Sequence, residues 1–256
     1  MGNLLEGHIA VVTGGGSGIG EAIALGYAEQ GAAVAILDIN ETAGANVAEA
    51  ILKAGKTAIS LRLDVTDRDA CDVAAEEIAV QLGATSILVN NAGINRRTPI
   101  TGDKDTVVKD WDDILEVNIK GVFNVTHAFL PQLRDTNGRV VNIGSIQSFL
   151  HVSWPNSAAY TTSKHGVLGL TRAFAAELGV DGVRVNAIGP GLIETPLNKG
   201  TRDANPDMVK QVLDHTPLGR AGKPRDIVGP AIFLASDLSA YVTGGIIMAD
   251  GGFRTI

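Results

Sequence analysis

Short apolar runs alternate along this chain with longer stretches whose apolar positions recur every three or four residues. The runs fall at 8–13, 33–38, 57–63, 86–90, 139–143, 183–187 and 245–249. Several, such as Ala33-Val-Ala-Ile-Leu37, are continuously apolar. That is the pattern of parallel strands covered on both faces. Helical periodicity fills the gaps near 18–30, 41–54, 67–82, 110–134, 157–179 and 225–236. The alternation predicts one α/β domain spanning 1–256, a doubly wound seven-stranded parallel sheet with helices on both faces. No internal repeat or linker divides it. The least regular stretch, 191–216, follows a strand and contains Pro196 and Pro206. It reads as a lid segment. The polar stretch 101–106 reads as an exposed turn before the helix expected from about 110.

Composition narrows the partners. The net charge is −7 and the pI about 5.2, and no Lys/Arg-rich run appears. Nucleic acid and anionic membranes are therefore not expected partners. No apolar stretch reaches membrane-spanning length. The N-terminus lacks the basic and apolar regions of a signal peptide, so a cytoplasmic location is expected. Cys71 is the single cysteine, which excludes an internal disulfide. No Cys/His cluster points to a metal.

The first strand runs into Thr13-Gly14-Gly-Gly16-Ser17-Gly18-Ile19-Gly20 and then a helix. Glycines there let backbone approach a pyrophosphate, and the helix N-terminus offers it unpaired N–H groups. This makes the expected fold a dinucleotide-binding Rossmann domain. Asp38 closes the second strand, 18 residues after Gly20, followed by Ile39. A carboxylate there accepts hydrogen bonds from ribose hydroxyls and repels a 2′-phosphate, which favours NAD over NADP. The alternative is a cap on the next helix. Asp64-Val65 follows the third strand, where Asp64 either meets the adenine or caps a helix. Asn90-Asn91-Ala92-Gly93 ends the fourth strand with small residues suited to a ribose.

Tyr160 and Lys164 stand one helical turn apart on the same face of a helix. An ammonium within a few Å favours phenolate and lowers a tyrosine pKa that is ordinarily near 10. Such a tyrosine can exchange a proton with an alcohol.

Taken together, Thr13-Gly-x-x-x-Gly-x-Gly20, Asp64, Asn90-Asn-Ala-Gly93, Asn118, Ser145, Tyr160-x-x-x-Lys164 and Pro190-Gly191 resemble the short-chain dehydrogenase/reductase family along essentially the whole chain. The resemblance implies Tyr160 as general acid/base and Ser145 as hydrogen-bond donor to the substrate oxygen. It implies Lys164 on the nicotinamide ribose and Asn118 holding a proton-relay water. Pro190, Gly191, Ile193 and Thr195 would line the nicotinamide, which carries the hydride. It further implies a homotetramer packed through 110–134, 157–179 and the last strand, with 250–256 near an interface. Ser145 and Tyr160 are 15 apart, longer than the common family spacing. Ser148 and Ser153 are rival hydroxyls.

The substrate side is less determined. Gly93-Ile-Asn95-Arg96-Arg97 and Ser145-Ile-Gln147-Ser resemble members that oxidise gluconate- and deoxygluconate-type sugar acids. Guanidinium groups suit carboxylates and vicinal hydroxyls. Arg96 and Arg97 either face the substrate or form a solvated or interfacial pair. Gln147, His151, Trp154, Leu192, Glu194 and Asn198 complete a candidate rim, with His151 and His215 as non-catalytic histidines. The expected activity is NAD-dependent interconversion of a secondary alcohol and a ketone on a sugar, polyol or sugar acid. The alternatives are a 3-oxoacyl thioester or small ketone/diketone reductase, and a non-catalytic dinucleotide-binding protein.

Overall fold

Seven parallel strands form one sheet in the order β3-β2-β1-β4-β5-β6-β7. They are β1 (Ile9–Thr13), β2 (Ala33–Asp38), β3 (Ala58–Arg62), β4 (Ile87–Asn90), β5 (Arg139–Ile143), β6 (Arg184–Pro190) and β7 (Ile246–Ala249). The computed structural model describes residues 3–152 and 157–255. The chain order reverses between β1 and β4, which opens a crevice at the carboxyl ends of the central strands.

Two apolar layers cover the sheet. On one face α1 (Gly18–Glu29), α2 (Glu41–Lys53) and α9 (Pro224–Ala235) bury Ile23, Val47 and Leu234 against Val12, Ile36 and Ile188. Tyr27 is fully buried there, and its hydroxyl donates to Ala231 O at 3.0 Å. This satisfies the polar end of a large apolar anchor. On the other face α3 (Arg68–Gln81), α5 (Gly121–Asp135) and α6 (Ala158–Leu178) bury Ile78, Phe129 and Ala175 against Val11, Leu88 and Val185. The continuously apolar strands follow from this double coverage.

Helix starts are set by short polar side chains. Asn40, Asp67 and Asp103 accept from the backbone N–H of Ala43, Ala70 and Thr106 at 3.1, 3.0 and 2.9 Å. Each such cap contributes about 1 kcal/mol. The Asp103 cap starts α4 (Lys104–Leu115) six residues ahead of the expected position, so only 101–103 remain a turn. The expected helix 110–134 is α4 and α5 joined by a π-helical turn, Glu116–Lys120. Strand β6 runs three residues beyond the expected 187. Gly189 and Pro190 read as breakers, yet pairing with Met248 and Ala249 of β7 keeps them extended.

The stretch 191–216 contains two short helices, α7 (Pro196–Ala204) and α8 (Pro206–Asp214), each with proline in its first turn.

Candidate active site

The turn after β1 is shaped by close backbone approach. A Cβ on Gly20 would stand 2.2 Å from Gly14 O and 2.5 Å from Asn91 Nδ2, so only glycine fits. Gly18 adopts φ +58° as the chain enters α1. Asn91 clamps this turn to the end of β4, its Nδ2 donating to Thr13 O at 3.0 Å and Gly14 O at 2.9 Å. Thr13 Oγ1 accepts from Asn91 N and Ala92 N at 3.0 and 3.1 Å.

Beside this turn a cavity of about 320 Å³ is lined by Gly14, Ser17, Gly18 and Ile19 on one side. Asp38, Ile39, Asp64 and Val65 line another side, and Asn91, Ala92, Gly93 and Thr195 complete it. The cleft is contiguous with a second cavity of about 160 Å³, sharing Ile19, Asn91, Gly93 and Thr195. The glycine cradle, the α1 N-terminus and the strand-end carboxylate fit a dinucleotide.

Asp38 is held at both oxygens. Gly16 N donates to Oδ2 at 2.8 Å and Asn40 N to Oδ1 at 2.9 Å. A Cβ on Gly16 would meet that Oδ2 at 2.8 Å and Ala43 Cβ at 2.9 Å. Asn40, not Asp38, caps α2. Asp64 Oδ1 accepts from Thr66 N at 2.9 Å and Thr66 Oγ1 at 2.8 Å, while Asp67 caps α3.

The second cavity brings Ser145, Tyr160 and Lys164 together with Asn95, Arg97, Gln147, Pro190, Gly191 and Ile193. Ser145 stands two residues beyond β5 and caps a 3₁₀ turn, Ile146–Ser148. Its Oγ accepts from Gln147 N at 3.1 Å, and its own proton is directed at the Tyr160 phenol oxygen. Ser148 is committed elsewhere, its Oγ accepting from Ser145 N at 3.2 Å. Ser153 and Trp154 lie outside the described residues.

Burial pushes the Tyr160 phenol above its ordinary pKa, opposed first by a hydrogen bond from Ser145 and then by the Arg97 charge. Lys164 Nζ lies 5.6 Å from the Tyr160 ring centroid and donates to Ile143 O at 2.8 Å. Burial lowers the Lys164 pKa to about 8. The expected lowering of the phenol by its helical neighbour is thus outweighed by desolvation, which acts against charge on both groups.

Asn118 does not line the cavity. It sits buried in the π-turn, where Oδ1 accepts from Ile94 N at 2.8 Å. Its Nδ2 donates to Ile94 O at 2.9 Å and Ser163 Oγ at 3.1 Å. It thereby ties the loop after β4 to α6.

The two arginines part company. Arg96 is held by Asp110 at 2.9 Å and by Asp113, and stands outside the cavity lining. Arg97 lines the cavity, and burial lowers its pKa. His151 and Glu194 stand outside the lining, whereas Leu192 and Asn198 are within it. The sequence singles out 191–216 as a segment but not Leu197, Met208 and Val212, which also line this cavity. Their spacing along α7 and α8 was the available signal, since Met208 and Val212 stand one turn apart.

Among the described residues no cluster of three or more His, Cys, Asp and Glu gathers as a metal site. No helix among them is long and apolar enough to cross a membrane.

Known proteins resemble this arrangement throughout. The family model described as Enoyl-(Acyl carrier protein) reductase matches residues 14–254. The 3-oxoacyl-[acyl-carrier-protein] reductase FabG of Thermotoga maritima is 41% identical over 97% of this chain and 98% of its own. The 2-dehydro-3-deoxy-D-gluconate 5-dehydrogenase of Dickeya dadantii is 37% identical over 97% and 96%. The crystal structure of a gluconate 5-dehydrogenase from Burkholderia cenocepacia, in complex with NADP and tartrate, has a TM-score of 0.92. It is 37% identical, and the match covers 99% of this chain and 98% of that one. The chain belongs to the short-chain dehydrogenase/reductase family, oxidoreductases acting on CH–OH groups with NAD or NADP.

Proposed function

We propose that this protein is an NAD(H)-dependent dehydrogenase interconverting a secondary alcohol and a ketone on a sugar, polyol or, foremost, a sugar acid. The observation that carries the substrate class is Arg97 in the cavity beside Ser145 and Tyr160. A guanidinium there can pair with a substrate carboxylate. The gluconate and deoxygluconate dehydrogenases among the relatives support this reading.

The glycine turn, Asp38, Asp64 and Asn91 would hold the dinucleotide, with Pro190, Gly191, Ile193 and Thr195 at its reactive end. When bound, the nicotinamide supplies hydride exchange with the substrate carbon. Tyr160 moves the proton at the substrate oxygen through its phenolic Oη. Ser145 Oγ, hydrogen-bonded to Tyr160, turns its proton to the same oxygen and stabilises developing negative charge. Arg97 contributes a second role by favouring phenolate at Tyr160. Lys164 presents an ammonium in a dry setting, where it can take ribose hydroxyls as acceptors. Asn118 fixes the loop bearing Asn95 and Arg97. The segment 191–216 acts as the lid, its Leu197, Met208 and Val212 excluding water from the cavity.

Asp38 supports NAD as the preferred cofactor. Its carboxylate is fixed by two backbone donors beside the cofactor cavity, where a 2′-phosphate would meet like charge. The family resemblance points to a homotetramer, for which exposed Val108 and Trp111 on α4 offer apolar contact surface; light scattering tests it.

A second reading is reduction of a 3-oxoacyl thioester, favoured by the Thermotoga relative and the apolar lid side chains. A panel of aldonic acids, polyols, simple secondary alcohols and 3-hydroxyacyl thioesters, each with NAD and with NADP, separates the two. Activity on aldonic acids that Arg97→Met weakens at least tenfold in kcat/KM supports the sugar-acid reading. Thioester activity indifferent to Arg97→Met overturns it. Tyr160→Phe should lose turnover yet bind NADH, and retained turnover would sink the mechanism.

A further inference from the structure

The C-terminal turn touches both walls of the substrate cavity without lining it. One wall is the segment after β5, where Gln147 and Val152 line the cavity and Phe149 lies between them. The other is α8, which contributes Met208 and Val212 and is followed by His215 as its C-cap. Beyond β7 the chain turns through Asp250-Gly-Gly252 into a 3₁₀ turn, Phe253–Thr255. Arg254 lays its guanidinium carbon 3.7 Å from the centre of the Phe149 ring. The neighbouring Phe253 meets the His215 ring edge-on, with centroids 4.7 Å apart. Adjacent residues of one turn therefore grip opposite walls.

The turn itself is fixed. Asp250 accepts from Gly252 N at 3.0 Å and Arg254 N at 3.2 Å. Gly251 O accepts from Leu218 N at 3.1 Å. A Cβ on Gly252 would stand 2.9 Å from Pro217 Cγ, and one on Gly251 2.7 Å from Thr216 Cγ2. A Cβ on Gly191, at the reactive end of the cleft, would meet Asp250 Cα at 2.9 Å. The C-terminal turn is thus packed on the segment behind α8 and on the floor of the cleft.

We propose that the Phe253–Thr255 turn is a clasp, in which Arg254 and Phe253 are positioning residues that hold the Gln147–Val152 wall and α8 at the separation the substrate requires. The inference rests on the reading of this cavity as the substrate site and is independent of which alcohol occupies it. Neither residue touches the dinucleotide cavity, so the clasp acts on substrate affinity, not on cofactor binding. A stacked cation on an aromatic ring is a modest interaction at an exposed site, and its loss should be felt as a several-fold effect.

The test uses Arg254→Ala, Phe149→Leu and the double variant, with whichever substrate the panel finds for the unaltered chain. Expected is a KM raised about three- to tenfold by each single change, with kcat and NADH affinity unchanged. The double variant should be no worse than either single, the signature of one shared contact. Arg254→Lys should restore part of the loss. A second readout needs no substrate: Phe253→Ala should raise hydrogen exchange in peptides covering 206–216 and leave those covering 14–30 unchanged. An unchanged KM, additive losses, or a raised KM accompanied by a common fall in NADH affinity and Tm would overturn the clasp. Failure of the sugar-acid reading appears separately, in the panel on the unaltered chain.

Discussion

Lys164 should cost the apo protein stability. It is buried at the cavity wall, and burial lowers its pKa from 10.5 to about 8. A shift of this size corresponds to roughly 3 kcal/mol at neutral pH, held against folding because the charged form is desolvated. Replacing it with methionine removes the charge and keeps the aliphatic stem. The bond to Ile143 O is lost, which costs about 1–2 kcal/mol, so the net gain at neutrality should be on the order of 1–2 kcal/mol. The pH dependence is the sharper measurement. Between the folded and unfolded pKa values the unfolded chain binds the extra proton, so the parent gains stability as pH rises from about 8 toward 10. The penalty should fall from roughly 3 kcal/mol to below about 1 kcal/mol over that window. Above it, Tyr160 and Tyr27, whose phenols burial pushes up, act in the opposite direction in both proteins. Urea denaturation of both apo proteins at steps across the window gives the difference directly. A Lys164→Met protein that is less stable at neutrality and keeps the parent's pH slope would refute the reasoning.

Asp38→Ala should relax cofactor choice, raising kcat/KM with NADP relative to NAD by about tenfold or more, read from initial rates with the two cofactors. Gly20→Ala should abolish dinucleotide binding and destabilise the fold by several kcal/mol, since a methyl cannot occupy a space 2.2 Å from Gly14 O. Calorimetric titration with NADH and thermal melting check both. His8 has its pKa lowered, first by burial and then by Arg139, so its contribution is intact above the unfolded value near 6.5 and lost as pH falls below it. His8→Gln should therefore flatten the acid side of the stability curve below about pH 6.5, with no change in activity at neutrality.

Much of the cofactor half was legible from the chain alone. Strands covered on both faces must be apolar throughout, and that pattern located all seven. The glycines before α1 and the acid ending β2 carry constraints that are local, set by a turn and one strand length. Tyr160 and Lys164 were likewise fixed relative to one another by helical geometry. What needed the fold was anything decided between elements. The sequence presents Arg96 and Arg97 as equals, but alternate direction along the chain sends Arg96 to Asp110 and Asp113 and Arg97 into the cavity. The sign of the Tyr160 shift also lies beyond the sequence, because desolvation depends on everything packed around the phenol and not on the lysine one turn away. The meeting of Arg254 with Phe149, over a hundred residues apart, arises only because β7 ends beside β6 at the edge of the cleft. Local conformation follows from neighbouring residues, whereas solvation and long-range contact belong to the assembled core.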